Sequence, residues 1–181
     1  MFSLPLIAEQ RGAWGFKEGG LIEWSQLSMV IGMGLIFGHQ SVAKPQARTL
    51  YTIFTCLFAF VAIRETDSLW DTLGINWKLA YVLILYAIYV GYANFQTLKE
   101  QFRVFLQSSS MPLIWAGFII VIPFAQLVGN GDFLRAAMGD DYSRDYKRVI
   151  EEVCEVMGYL LMLLGIIELL LESRRQAPRA E

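Results

Sequence analysis

Long apolar blocks alternate with short polar segments along this chain, and the alternation predicts its elements. The blocks fall at about 21–37, 49–63, 77–94, 111–128 and 153–171. Several approach the ~20 residues that a helix needs to cross a bilayer. A helix lying on a soluble core would show a polar face at every turn, and these blocks do not. The pattern therefore predicts an all-α protein, an integral membrane bundle of about five transmembrane helices behind a short interfacial segment.

Residues 1–20 mix Phe2, Trp14 and Phe16 with Arg11, Lys17 and Glu18. That mixture suits a segment lying along the headgroup boundary. Residues 21–173 then make one five-span domain, and 174–181 a polar tail. Span one opens with Glu23, Trp24 and Gln26. Trp24 fits an aromatic belt, and Glu23 and Gln26, three apart, share a helix face. Ser28/Gly32 and Gly34/Gly38 are small-xxx-small pairs that let a second helix approach. His39, Gln40, Lys44, Pro45 and Arg48 form the first tight connection.

Span two continues as helix into Arg64–Asp71. At 3.6 residues per turn Arg64, Asp67 and Asp71 then line one face, with Glu65 about 100° away. Span three is rich in tyrosine, read as packing or belt residues, and Lys99, Glu100 and Arg103 belong to a polar connection after it. Pro123 kinks span four. The stretch 129–152 is the longest connection and holds a short helix outside the hydrocarbon. Span five enters through Glu151, Glu152 and Glu155. Lys147/Glu151 and Arg148/Glu152 are i, i+4 pairs, and Gly158 and Gly165 offer a smooth flank for packing.

Composition sharpens this picture without changing it. Of 181 residues 55% are hydrophobic, and the mean hydropathy is +0.43. A net charge of −2 with no basic strip excludes a nucleic-acid partner. Cys56 and Cys154 fall at different depths of their spans, so no disulfide is expected. Met1–Gln10 lacks a basic n-region and a long apolar h-region, so no cleaved signal peptide is expected and span one acts as the insertion signal. His39 is the only histidine. Bis-His haem ligation, a three-His zinc site and a Ser-His-Asp triad therefore cannot be built within the chain.

Five spans put the termini on opposite sides. Lys and Arg divide almost evenly between the two faces, so their count does not orient the chain. The bases at 38–48, 95–110 and the tail sit in compact segments with few acids. That places the C-terminus in the cytoplasm and the N-terminus outside, in a bacterial inner membrane. Most acids fall on the opposite face. Glu23, Gln26, Arg64, Glu65, Asp67, Asp71, Gln126, Glu151, Glu152 and Glu155 are thus expected at one membrane level, with Arg64 as the central positive partner. Ionisable groups at that depth normally face the bundle interior and pair.

Three chemistries fit such a cluster. It is a salt-bridge and hydrogen-bond network locking helix ends, or a site for a small cation or a lipid headgroup, or a divalent metal site using Glu65, Asp67, Glu151 and Glu155. The matching functions are a binding, transport or accessory membrane protein; a membrane-embedded hydrolase or transferase acting on a lipid; and a structural subunit. The bilayer is the obligatory partner, and both homo-oligomerisation and a membrane-complex partner are compatible with a small bundle.

Overall fold

The computed structural model describes residues 20–139 and 142–175. The interfacial segment expected at 1–20 lies outside them except for Gly20, as does the tail at 174–181 except for its first helical residues. The described residues are helical and contain no strand. In chain order the helices are α1 (Leu21–Ala43), α2 (Arg48–Glu65), α3 (Asp67–Thr72), α4 (Tyr81–Ala93), α5 (Phe95–Leu106), α6 (Met111–Val128), α7 (Gly131–Met138) and α8 (Arg144–Arg175). Four helical stretches are long and apolar enough to cross a membrane: Leu21–Ala43, Pro45–Glu65, Met111–Val128 and Lys147–Glu172. A fifth is gained if Trp77–Ala93 and Phe95–Leu106, bent by 98° at their junction, count as one span. The all-α membrane architecture is as the apolar blocks predict.

The chain divides into two compact units, 27–111 and 1–26 with 112–181. In the unit 27–111, α1 runs six residues past its expected end, through His39 and Gln40 to Ala43. It stops because Lys44 precedes Pro45, whose ring disfavours the α conformation there; Lys44 has φ −126° and ψ 84°. An aromatic cluster holds α1 to α2. The Phe37 ring lies 5.5 Å from Tyr51, 4.9 Å from Phe54 and 5.8 Å from Phe58, centroid to centroid. Phe105 of α5 joins it, 5.3 Å from Phe54. The glycine pairs of span one are only partly used. A Cβ on Gly34 would meet the Cβ of Phe58 at 3.3 Å and one on Gly38 the Thr55 methyl at 3.5 Å, but one on Gly32 would meet nothing within 4 Å.

The helix expected to run unbroken from span two to Asp71 ends instead at Glu65. The Thr66 hydroxyl donates back to the Ala62 and Ile63 carbonyls at 2.9 and 3.2 Å and accepts from the Trp70 indole N–H at 3.0 Å. Thr66 itself sits at φ −108°, ψ 25°, outside helical geometry. This local bonding competes with the helix, as threonine commonly does. The chain turns back at Gly74, whose φ of +70° suits a residue without Cβ. Asn76 caps the next segment by accepting from the Lys78 N–H at 3.0 Å.

In the other unit α6 and α8 run antiparallel along a seam of glycine. A Cβ on Gly117 would fall 2.5 Å from the Gly158 carbonyl oxygen, and one on Gly165 3.0 Å from the Ile114 nitrogen. The flank expected at Gly158 and Gly165 is therefore real, and the backbones touch along it. Pro123 is absorbed by a π-turn over Ile120–Phe124, in which the Ala125 N–H reaches the Ile120 carbonyl five residues back. Proline has no N–H and its ring presses on the carbonyl four residues earlier, so one extra residue relieves the turn. The short helix expected in 129–152 is α7. The rest of that connection is shorter than expected, because α8 begins at Arg144, where the Ser143 hydroxyl accepts from the Asp145 N–H at 3.2 Å.

Candidate functional site

The opening turns of α1 belong to the same unit as α8, and they carry the most buried of the predicted site residues. Gln26 is 3% exposed. Its amide nitrogen donates to Glu152 Oε2 at 2.9 Å, lies 3.3 Å from the Glu152 carbonyl oxygen, and reaches Glu155 Oε2 at 3.5 Å. A side-chain amide has two hydrogens, so these three acceptors share two donors. Glu152 and Glu155 stand three apart on one face of α8. Both are half-buried, and they meet at the same nitrogen. Hydrogen bonds from a neutral donor to a carboxylate are among the stronger ones. Two carboxylates and a backbone carbonyl thus gather oxygen acceptors around one buried amide.

Glu151 flanks this group. It packs over Gly129, where an added Cβ would fall 2.7 Å from the Glu151 carboxyl carbon. Its Oε2 lies 3.8 Å from the Lys147 ammonium, the i, i+4 pair expected from the sequence. Both side chains keep about a third of their exposure, so the pair contributes little. Glu23, one turn before Gln26, is half-buried. Gln126 is exposed on α6, and its side chain forms no hydrogen bond among the described residues.

The remaining candidates lie in the unit 27–111. Arg64 is exposed and forms no ion pair among the described residues, so the role of central partner expected for it has no counterpart in that unit. Glu65 is half-buried, and Asp67 and Asp71 are exposed. Because the helix breaks at Thr66, Arg64, Asp67 and Asp71 do not share one continuous helical face. Asp71 lines a shallow open depression with Gly74, Ile75, Asn76, Trp77 and Lys78. No three His, Cys, Asp or Glu side chains among the described residues are grouped so as to hold a metal ion.

One buried polar residue escaped the sequence reading. Gln101 on α5 is 8% exposed. It accepts from the Leu50 N–H and donates to the Gln46 carbonyl, each at 2.8 Å. The start of α2 has no side-chain cap of its own, and Gln101 supplies one from another helix. The signal was present: Gln101 stands three after Leu98 and four before Phe105, on an otherwise apolar stripe. Comparison with protein-family models, with curated proteins and with solved structures finds no match for the chain.

Proposed function

We propose that this is a multi-pass membrane protein that binds or transports a small cation, the proton included, at Gln26, Glu152 and Glu155. The observation that supports the reading is the buried Gln26 amide holding two glutamates of α8 at one nitrogen. A lipid headgroup carrying phosphate needs a guanidinium or ammonium at its centre. The groups that meet at Gln26 are carboxylates and an amide, and Lys147 is set against the neighbouring Glu151. Oxygen donors of this kind suit a cation. A bacterial inner membrane, with the C-terminus in the cytoplasm, is the setting that fits the bases gathered at 38–48 and 95–110.

The test is purified protein in phosphatidylcholine vesicles loaded with a pH-sensitive dye, with Na⁺, K⁺, Mg²⁺, Ca²⁺ and Mn²⁺ supplied in turn. Thermal unfolding is followed with the same ions. A cation-dependent flux or rise in Tm is expected, and Glu152→Gln with Glu155→Gln should abolish it while the ion-free Tm stays near that of wild type. If none of these ions, nor a pH gradient, moves either readout in the wild type, the reading fails.

A further inference from the structure

Helix α5 does not continue the line of α4. The two are separated by Asn94 alone and meet at 98°. Asn94 closes α4 by donating from both its backbone and its side-chain amide to the Val90 carbonyl, at 3.2 and 3.0 Å. Trp77–Ala93 is four residues of 3-10 helix followed by thirteen of α-helix. At ~2.0 and ~1.5 Å per residue it extends roughly 27 Å, close to the ~30 Å of a hydrocarbon core. The crossing is thus nearly complete before the bend, and α5 is left over.

Three stripes of α5 bear on its placement, and the exposed Glu100 and Val104 lie on the remaining side. At 100° per residue Leu98, Gln101 and Phe105 share the first. This one faces the protein: Leu98 meets Gly91, Gln101 caps α2, and Phe105 stacks on Phe54. Phe95, Phe102 and Leu106 form the second, exposed by 61, 40 and 45%. Lys99 and Arg103, one turn apart, form the third. Both are exposed, and neither forms an ion pair among the described residues. An apolar stripe bordered on one side by the protein and on the other by free cations is the profile of a helix in the membrane interface.

We propose that Phe95–Leu106 lies in the plane of an anionic bilayer surface, with Phe95, Phe102 and Leu106 in the acyl boundary and Lys99 and Arg103 on headgroup phosphates. The occupant is a lipid surface because the stripe hinges directly from a helix of near-membrane length and the charges that border it, Lys99 and Arg103, are both positive, whereas the exposed Glu100 lies on the far side of the helix. The surface is the cytoplasmic one, where anionic lipid concentrates. This rests on the membrane-spanning fold and not on the cation site, so either can fail alone.

The experiment uses the full chain in a Cys56→Ala/Cys154→Ala background, reconstituted in 3:1 phosphatidylcholine:phosphatidylglycerol vesicles. Spin labels at Phe95→Cys, Phe102→Cys and Leu106→Cys report depth from oxygen against nickel-chelate collisions. An in-plane helix gives one shallow depth, equal within ~4 Å; a crossing helix gives a steady change of ~1.5 Å per residue, about 16 Å end to end, and would overturn the proposal. If the stripe variants do not fold, Gln96→Cys, Glu100→Cys and Gln107→Cys carry the same comparison from the polar side. The charge is tested by unfolding in the same vesicles against pure phosphatidylcholine. Wild type should gain several degrees of Tm from phosphatidylglycerol, and Lys99→Gln/Arg103→Gln should lose most of that gain. An equal gain in both proteins would remove the headgroup contact.

Discussion

The two units solve one problem differently. Each must join apolar helices while housing a few polar groups. In 1–26 with 112–181, glycine brings two backbones together along α6 and α8, and a glutamine amide binds carboxylates. In 27–111, aromatic rings fill the space between helices, and a glutamine amide binds backbone. The two glutamines show the difference in kind. Gln101 spends its oxygen and nitrogen on a helix start, groups whose charge never changes. Gln26 spends its nitrogen on one backbone carbonyl and on two carboxylates, groups that carry charge. A buried amide is therefore informative through its partner: backbone partners mark a structural lock, ionisable partners mark a place where chemistry can occur.

The largest effect expected from this contrast is at the glycine seam. Gly117→Ala places a Cβ 2.5 Å from the Gly158 carbonyl oxygen and 2.8 Å from the Met162 nitrogen, both backbone atoms that cannot rotate away. Overpacking of this kind should cost about 3 kcal/mol, read as a lower Tm in detergent. Gly32→Ala, which meets nothing within 4 Å, should leave stability unchanged or raise it by up to ~1 kcal/mol. Equal losses at the two positions would erase the distinction between the units.

Next come the glutamines. Gln101→Leu leaves the Leu50 N–H and the Gln46 carbonyl without partners and should cost about 2 kcal/mol. Gln26→Leu should cost about 1–2 kcal/mol, less because Glu152 and Glu155 retain some exposure. A double-mutant cycle sharpens the comparison: Gln26 and Glu152 should couple by about 1 kcal/mol, and Gln26 and Glu151 by about zero. Coupling of both pairs alike would mean that the amide serves a diffuse field, not a specific bond.

Much of this was legible in the residues. Apolar runs located the helices because burial in lipid demands length, although α1 and α8 extend beyond their apolar blocks. Gln26 and the glutamates of α8 could be named because a polar residue inside an apolar run must find a partner. Helix ends were less legible. Glu65 ends α2 through a threonine whose hydroxyl turns back on its own carbonyls, and threonine is equally at home in the middle of a membrane helix. The π-turn at Pro123 and the 98° bend at Asn94 arise from backbone bonding that no periodicity records. Gln101 is harder to see in the sequence than Arg64 because dense charge draws notice, whereas burial, which the sequence states only indirectly, decides what a polar group does.

The stretch 64–71 gives the complementary prediction. Arg64, Asp67 and Asp71 are exposed, so Arg64→Ala and Asp67→Asn should each change stability by less than ~0.5 kcal/mol, as exposed substitutions usually do. A loss above 1 kcal/mol from Arg64→Ala would show that this guanidinium is engaged after all, and the ranking of the two regions would reverse.

The smallest effect is electrostatic and lies at Lys44, between the first two membrane-spanning stretches. Partial burial holds its ammonium below the ordinary lysine range. The folded protein therefore binds its proton less tightly than the unfolded chain does. Between the lowered folded value and the unfolded value of 10.5, the unfolded chain carries more protons, so stability rises with pH across that window. Below the folded value the charged side chain is a constant burden on the fold. Lys44→Gln removes it and should raise stability at neutral pH by a few tenths of a kcal/mol. It should also flatten the alkaline rise, which a pair of unfolding curves at pH 7 and pH 10 would read directly. A variant that is instead less stable at pH 7, with the alkaline rise intact, would mean that the lysine stem packs more than its charge costs.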